Sequence, residues 1–339
     1  MKIFENKIQA LIRTTTALFI LLAFSACGKK QTTDENGLTR IVLQTDWYAQ
    51  AEHGGFYQAV AEGYYEEVGL SVTINQGGPN AMTYQKVASK NADFAIGRSD
   101  DIIIQSARGV PLVITGSFMQ HDPQALLVHA GSDVKEFGDL DGKKIMTTPG
   151  AVFVDVLRRK FDIDVDVIPL DYGMSRFISD PEFIQQCFIT NEPYYMAKED
   201  TPTRTLLLAD TGFDPYRVIY TSRALATNRP EIVKAFIAAS IRGWESYMKG
   251  PREKANAEIA SLNPKMTDEF LAYSLSAMKE NALISGRNQI DETGLIRESR
   301  IQDQINTLSE IGLLDKEMTV DEVAPLKFLP TRFDASFQK

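Results

Sequence analysis

The residues best placed to do chemistry lie in one stretch, TDWYAQAEHGGFYQAVAEGYYEE (45–67). Trp47, Tyr48, His53, Phe56, Tyr57, Tyr64 and Tyr65 crowd around the Gly54–Gly55 pair. Phe56, Ala59 and Val60 have the i, i+3, i+4 spacing of a buried helix face, which predicts a helix starting near Gly54. Two glycines there would let a ligand approach the free backbone N–H groups of the first turn. Trp47, Tyr48 and Tyr57 supply faces that stack on or clamp a planar ring. Asp46 and His53 add polar direction. The competing assignment makes Trp47 and Tyr57 core residues and leaves His53 on a surface loop.

Further candidates fall where apolar runs give way to helical patterns. Gly97, Arg98, Ser99 and Asp100 follow one such run, and either contact a ligand or, through Ser99 or Asp100, simply cap the next helix. Gln120, His121 and Asp122 either line a cleft or order a turn before Pro123. Thr148 and Gly150 stand at a helix start, as do Asn191 and Glu192. The carboxylate of Glu192 can cap its helix or accept from an amino or ring N–H. Asp214 and Tyr216 serve as turn residues or as ligand contacts.

Several chemistries are excluded. No G-x-x-x-x-G-K-[ST], G-x-S-x-G or G-x-G-x-x-G occurs, and GDLDGKKI (138–145) has the wrong spacing and precedes a strand. Three histidines and no cysteine pair give no metal-ligand spacing. No nucleophile stands with a base, so no catalytic residue, metal or cofactor is expected.

The elements that must position these residues read as α/β. Strand candidates at 41–46, 71–75, 93–97, 112–116, 125–130, 144–148, 165–169, 186–190, 205–209 and 217–221 alternate with helices such as 79–90, 100–108 and 151–160. This alternation predicts largely parallel sheets. From Arg223 onward the pattern is helical, at 228–250, 251–261, 267–284 and 296–311. Two similar units joined by crossings near 117–130 and 217–225 would leave a cleft between lobes, with strand-end loops facing it.

The N-terminus reads as an export signal. Lys2, Lys7 and Arg13 precede the apolar ALFILLAF (17–24), and SAC (25–27) closes it. The cysteine matches a lipoprotein cleavage site, which makes Cys27 the lipidation site; an ordinary signal peptide cut near Ala26 is the alternative. The expected division is 1–26 signal peptide, 27–39 lipid-anchored tether, 40–122 first lobe, 123–222 second lobe, and 223–339 a mainly helical return to the first. Of 339 residues, 313 remain after cleavage, with 33 basic and 44 acidic side chains and a formal charge of −11. Such a chain repels nucleic acid. Cys187 is then the only free thiol, expected buried in a strand.

The order TDW…HGGFYQAVAEGYYEEVGLSVTI (45–74), GG (77–78), KNADFAIG (90–97), ARGVPLVITG (107–116) and DLDGKKIMTTPG (139–150) resembles the periplasmic solute-binding proteins of the nitrate/sulfonate/thiamine-precursor importers. Its nearest subgroup captures formylated aminopyrimidine precursors of thiamine. The resemblance spans roughly residues 40–330. It implies a type 2 two-lobe periplasmic binding protein that is a monomer in the cell envelope, anchored to the membrane by lipid, and that delivers a small heteroaromatic ligand to an ABC permease and its ATPase. It also implies pocket roles for Trp47, His53 and Glu192. On this reading Trp47 and Tyr57 stack the ring, and His53, Glu192 and Asn191 make its polar contacts. Arg98, Ser99 and Asp100 close the rim, with Asp46, Gly54, Gly55, Gln120 and Tyr216 also at the ligand. Enzymes of the same fold build the thiamine pyrimidine from their own histidine, and carry a cysteine-rich motif that this sequence lacks. The aromatic first loop suits a pyrimidine or a flavin better than a sulfonate or nitrate.

Overall fold

The computed structural model describes residues 33–287 and 292–333. The expected export signal and lipidation site at Cys27 lie outside the described residues. The chain divides into two compact units, Met1–Arg40 and Ile41–Lys339. In the first, Thr33 and Thr39 form an antiparallel bridge. The Asp34 carboxylate closes its turn by accepting from the N–H groups of Asn36 and Leu38.

Among the described residues ten strands are formed: β1 Thr39–Gln44, β2 Leu70–Asn75, β3 Phe94–Arg98, β4 Leu112–Met119, β5 Gln124–His129, β6 Lys143–Thr147, β7 Val165–Pro169, β8 Ile184–Phe188, β9 Thr203–Leu207 and β10 Arg217–Ser222. They build two five-stranded sheets, ordered β2-β1-β3-β10-β4 and β7-β6-β8-β5-β9. Between them run helices α1 Gly54–Ala61, α2 Tyr64–Glu67, α3 Thr83–Ala88, α4 Ser99–Ala107, α5 Val152–Phe161, α6 Ser175–Ser179 and α7 Glu192–Lys198. The chain closes with α8 Arg223–Asn228, α9 Pro230–Lys249, α10 Glu253–Leu262, α11 Asp268–Glu280, α12 Glu298–Glu310 and α13 Val320–Val323. The fold is α/β. β4, apolar but for Thr115, Gly116 and Ser117, is buried at every residue, as a strand covered on both faces must be.

Two sequence expectations need correction. The sheets are mixed rather than largely parallel. β1–β3, β6–β7 and β6–β8 are parallel, but β10 runs antiparallel to β3 and β4, and β5 antiparallel to β8 and β9. The antiparallel strands are those by which the chain enters each sheet after crossing. In consequence β10 belongs to the first sheet, and the return crossing precedes Arg217 rather than following Ser222. A local apolar pattern marks a strand but not its partner.

The two crossings, Gln120–Pro123 and the stretch 208–216, are tied to each other. The Asp214 carboxylate accepts from the backbone N–H of Asp122 at 3.1 Å and pairs with the His121 ring and, at 2.8 Å, with Arg300. Arg300 also donates to the carbonyls of Gln120 and Asp214.

The return helices serve both sheets. α9 packs on the first, starting at Pro230 and stopping at Gly250; Asn228 ends α8 instead of capping α9. α11 grips the loop between β8 and α7: Tyr273 donates to the Ile189 carbonyl at 3.1 Å and Ser274 to the Thr190 carbonyl at 2.8 Å. Tyr194 stacks on Phe270 with centroids 4.6 Å apart. Among the described residues no helix is long and apolar enough to cross a membrane.

Candidate functional site

The C-terminal ends of β1, β4 and β8, with the loops beyond them, enclose a cavity of about 790 Å³. Its wall carries Asp46, Trp47, Glu52 and His53 from the first loop, Gln185 from β8, Asn191 and Glu192 from the turn into α7, and Arg217 from β10. Leu262, Asn263, Lys265 and Met266, between α10 and α11, complete it.

The rim is aromatic and exposed, and the floor is polar and buried. Trp47 and Tyr172 meet with ring centroids 5.3 Å apart and planes tilted by 34°. Tyr48 sets its edge against Trp47 at 5.4 Å. Tyr48 and Tyr172 are 45 % and 52 % exposed, whereas Glu52, His53 and Gln185 are buried. The Trp47 backbone is fixed because its carbonyl accepts from the Thr45 hydroxyl at 2.7 Å and from Gly77 N–H at 2.8 Å. A side chain at Gly77 would collide with the Thr45 carbonyl, its Cβ lying 2.4 Å away.

A row of charges crosses the floor. The Nε2 of His53 lies 3.2 Å from Oδ1 of Asp46, and the other Asp46 oxygen pairs with Arg217. Burial would raise the Asp46 pKa, but the Arg217 charge and the His53 hydrogen bond overcome it and hold the carboxyl at about 2. A carboxylate can only accept, so His53 carries its proton on Nε2 and, in the neutral ring, presents Nδ1 as a lone pair. Among the described residues that Nδ1 is buried without a partner.

Two further carboxyls face the cavity. Glu52 accepts from the Thr190 hydroxyl of the β8–α7 loop, yet burial still raises its pKa. Glu192 opens α7 and folds back to accept from Phe188 N–H at 2.7 Å. Burial pushes its pKa to about 7 against that bond, with the nearby Glu52 charge adding to the rise.

Of the residues expected at a ligand, Asp46, Trp47, Tyr48, His53, Thr148, Asn191 and Glu192 line this cavity. The others stand elsewhere, for physical reasons. Gly54 and Gly55 face α9, where a Cβ on either would lie 2.2 Å from the rings of Tyr247 and Trp244 respectively; they permit helix packing rather than ligand approach. Tyr57 is buried in the core, and burial lifts its pKa to about 12. Arg98 is held by Asp100 at 2.6 Å, by Asp122 at 3.3 Å and by Gln124, so it spans the crossing and does not close a rim. Ser99 neither meets the cavity nor caps α4: it donates to Gln304 at 2.5 Å and accepts from Tyr216 N–H. Gln120 is buried and donates to Ser117 and to the carbonyls of Leu295 and Glu292. Tyr216 is buried under the Arg300 guanidinium, 3.9 Å from its ring centre.

The structure adds Glu52, Tyr172, Gln185 and Arg217. Glu52 sits between two residues that were singled out, so its place in the loop was the available signal. Gln185 lies in the strand FIQQCFIT and Arg217 opens a strand; neither carries a local mark. Cys187 is free and buried in β8.

Comparisons with known proteins agree with this architecture. The formylaminopyrimidine-binding protein of Halalkalibacterium halodurans is 22 % identical over 276 residues, covering 78 % of this chain and 84 % of that protein. A 4-amino-5-hydroxymethyl-2-methylpyrimidine phosphate synthase of Candida albicans is 24 % identical over 251 residues, covering 68 % and 74 %. The periplasmic aliphatic sulphonate binding protein SsuA from Escherichia coli superimposes with a TM-score of 0.64 at 18 % identity, covering 84 % of this chain and 91 % of that one. The profile described as NMT1/THI5 like matches residues 50–254, more than half of the 339. The chain therefore belongs to the NMT1/THI5-like family and has the fold of the periplasmic binding proteins.

Proposed function

We propose that this protein is the solute-binding lipoprotein of a bacterial ABC importer, and that its solute is a small nitrogen heteroaromatic of the aminopyrimidine kind. The observation that carries this reading is the Trp47–Tyr172 pair standing over a floor formed by His53, Glu52 and Glu192. Flat faces suit a ring, and the carboxyls of Glu52 and Glu192 can meet N–H donors, which a heterocycle offers and a sulfonate or nitrate lacks. The binding-protein relative supports a solute-binding role. Acylated Cys27 would hold the protein at the membrane beside its permease, and rotation about the two crossings would close the cavity on the solute. Ligand that favours the closed form gives the permease a state to recognise.

Differential scanning fluorimetry against formylaminopyrimidine, riboflavin, nucleobases, taurine and nitrate tests the assignment. A true solute raises Tm in proportion to RT ln(1 + [L]/Kd). A rise with the pyrimidine and none with taurine or nitrate is the expected result; the reverse pattern overturns the ligand class.

The synthase relative motivates a second reading, in which His53 is consumed to build a pyrimidine. Mass spectrometry of protein incubated with pyridoxal phosphate and iron separates the two. Transport leaves His53 intact, whereas synthesis converts it.

A further inference from the structure

Tyr172 stands at the rim on a backbone that its residue type disfavours. It follows β7 of the second sheet, and its φ is 61°, in the left-handed region that a bulky side chain rarely enters. Gly173 beside it could take that conformation freely and does not. Bonds on either side hold the bend in place. The Asp171 carboxylate accepts from Gly173 N–H at 2.8 Å, and Gln185 donates to the Gly173 carbonyl at 3.1 Å. Leu170 N–H donates to the Thr147 carbonyl of β6, also at 3.1 Å. Backbone outliers persist only where their surroundings over-determine them, and they cluster at ligand clamps and active sites.

The bend delivers the ring to the mouth of the cavity. Tyr172 lines that cavity, is 52 % exposed, and meets Trp47 with ring centroids 5.3 Å apart. Trp47 reaches the same place from the loop after β1, in the first sheet. The two rings thus come from opposite sides, each on a backbone pinned by hydrogen bonds. A flat solute held between two rings needs them about 7 Å apart, twice the ~3.5 Å of carbon–carbon contact. In the empty protein they have closed on each other instead. A solute entering between them exchanges one ring–ring contact for two ring–solute contacts.

We infer that Tyr172 is a specificity-determining residue of this cavity: its ring parts from Trp47 and takes the second face of a flat solute. This rests on the proposed reading of the cavity as a heteroaromatic site, and it names the side chain of the second sheet that selects for flatness. A merely structural Tyr172 would alter the stability of the empty protein and leave the affinity of each folded molecule alone. A clamping ring lowers that affinity when it is removed.

The test titrates wild type, Tyr172→Phe, Tyr172→Leu and Tyr172→Gly with formylaminopyrimidine in a calorimeter, counting folded molecules only. Tyr172→Phe keeps the flat face and is expected to bind within about twofold of wild type. Tyr172→Leu and Tyr172→Gly remove the face and are expected to bind roughly five- to fiftyfold more weakly, as for the loss of one base–aromatic stack. Glycine accepts the left-handed φ without strain, so Tyr172→Gly keeps the bend while losing the ring. Tryptophan emission supplies a second readout: Trp244 is fully buried and away from the cavity, so a change on binding reports Trp47. Such a change is expected in wild type. Should the leucine and glycine variants bind as wild type does, should Tyr172→Phe weaken binding as much as Tyr172→Leu, or should the emission stay constant on binding, the inference is overturned while the heteroaromatic reading stands. Should wild type bind neither this probe nor riboflavin nor a nucleobase, both fall. If Tyr172→Gly does not fold, the comparison of Tyr172→Phe with Tyr172→Leu decides by the same criteria.

Discussion

The hydroxyl of Thr190 donates to the carboxyl of Glu52, joining the β8–α7 loop to the first loop of the other sheet at the base of the cavity. Thr190→Val removes the donor and leaves an enclosed carboxyl without it. The expected loss of stability at neutral pH is about 1–3 kcal/mol. Urea denaturation checks this. The loss should shrink below pH ~4, where the carboxyl is protonated folded and unfolded alike.

Glu192 sets a pH dependence of definite sign. Its pKa rises from 4.5 to about 7 on folding, so the folded chain binds the proton more tightly than the unfolded one. Its contribution to stability is therefore fullest at low pH and is lost as pH climbs from about 4.5 to about 7. Glu192→Gln, which keeps an acceptor for Phe188 N–H, should flatten that slope and be more stable than wild type at pH 8 by roughly 1–3 kcal/mol. Unfolding free energies across this window decide the matter; an unchanged slope would remove Glu192 as its source.

Asp46 acts with the opposite sign. Its carboxyl is held at about 2, below the usual 3.8, so its share of stability is present above the usual value and lost as pH falls through that interval. Asp46→Asn strips Arg217 of its charge partner and releases His53 Nε2. A loss on the order of 1–3 kcal/mol is expected, less than for a fully enclosed pair because Asp46 keeps some solvent contact. The acid limb of the stability curve should flatten in parallel.

The glycine pair separates packing from binding. Gly54→Ala and Gly55→Ala place a Cβ into the rings of Tyr247 and Trp244. Each should cost about 1–3 kcal/mol or more. Solute affinity per folded molecule should stay at the wild-type value in calorimetry, since neither glycine touches the cavity.

Trp47→Ala should behave in the contrary way. Affinity for an aromatic solute is expected to fall by about 1–3 kcal/mol, by analogy with base–aromatic stacking. Tm of the empty protein should hardly move, because the ring is only half-buried at the rim. An affinity equal to wild type would remove Trp47 from the contact.

Much of this architecture is legible in the residues. Apolar runs bounded by turn residues mark strands wherever the chain is buried on both faces, and the periodic segment from Pro230 to Lys249 announces its helix. What stays hidden is partnership over long separations. Gly54 and Gly55 read equally well as a ligand cradle or as a close helix contact, and the deciding rings, Trp244 and Tyr247, lie some two hundred positions away. The loop holding Trp47 and His53 was legible because its chemistry is concentrated in sequence. Gln185 was not, because a glutamine among apolar strand residues discloses neither its burial nor which end of its amide is already engaged.

The grip of α11 on the β8–α7 loop has a mechanical consequence. That helix is continuous with the segment packed on the first sheet, yet Tyr273, Ser274 and Phe270 fasten it to the second. Turning one sheet against the other therefore strains a third tie besides the two backbone crossings. Either α11 slips over its loop, or the run from Leu262 to Met266 bends. Because that run is also part of the cavity wall, any turn of one sheet against the other would reshape the space between them at the same time.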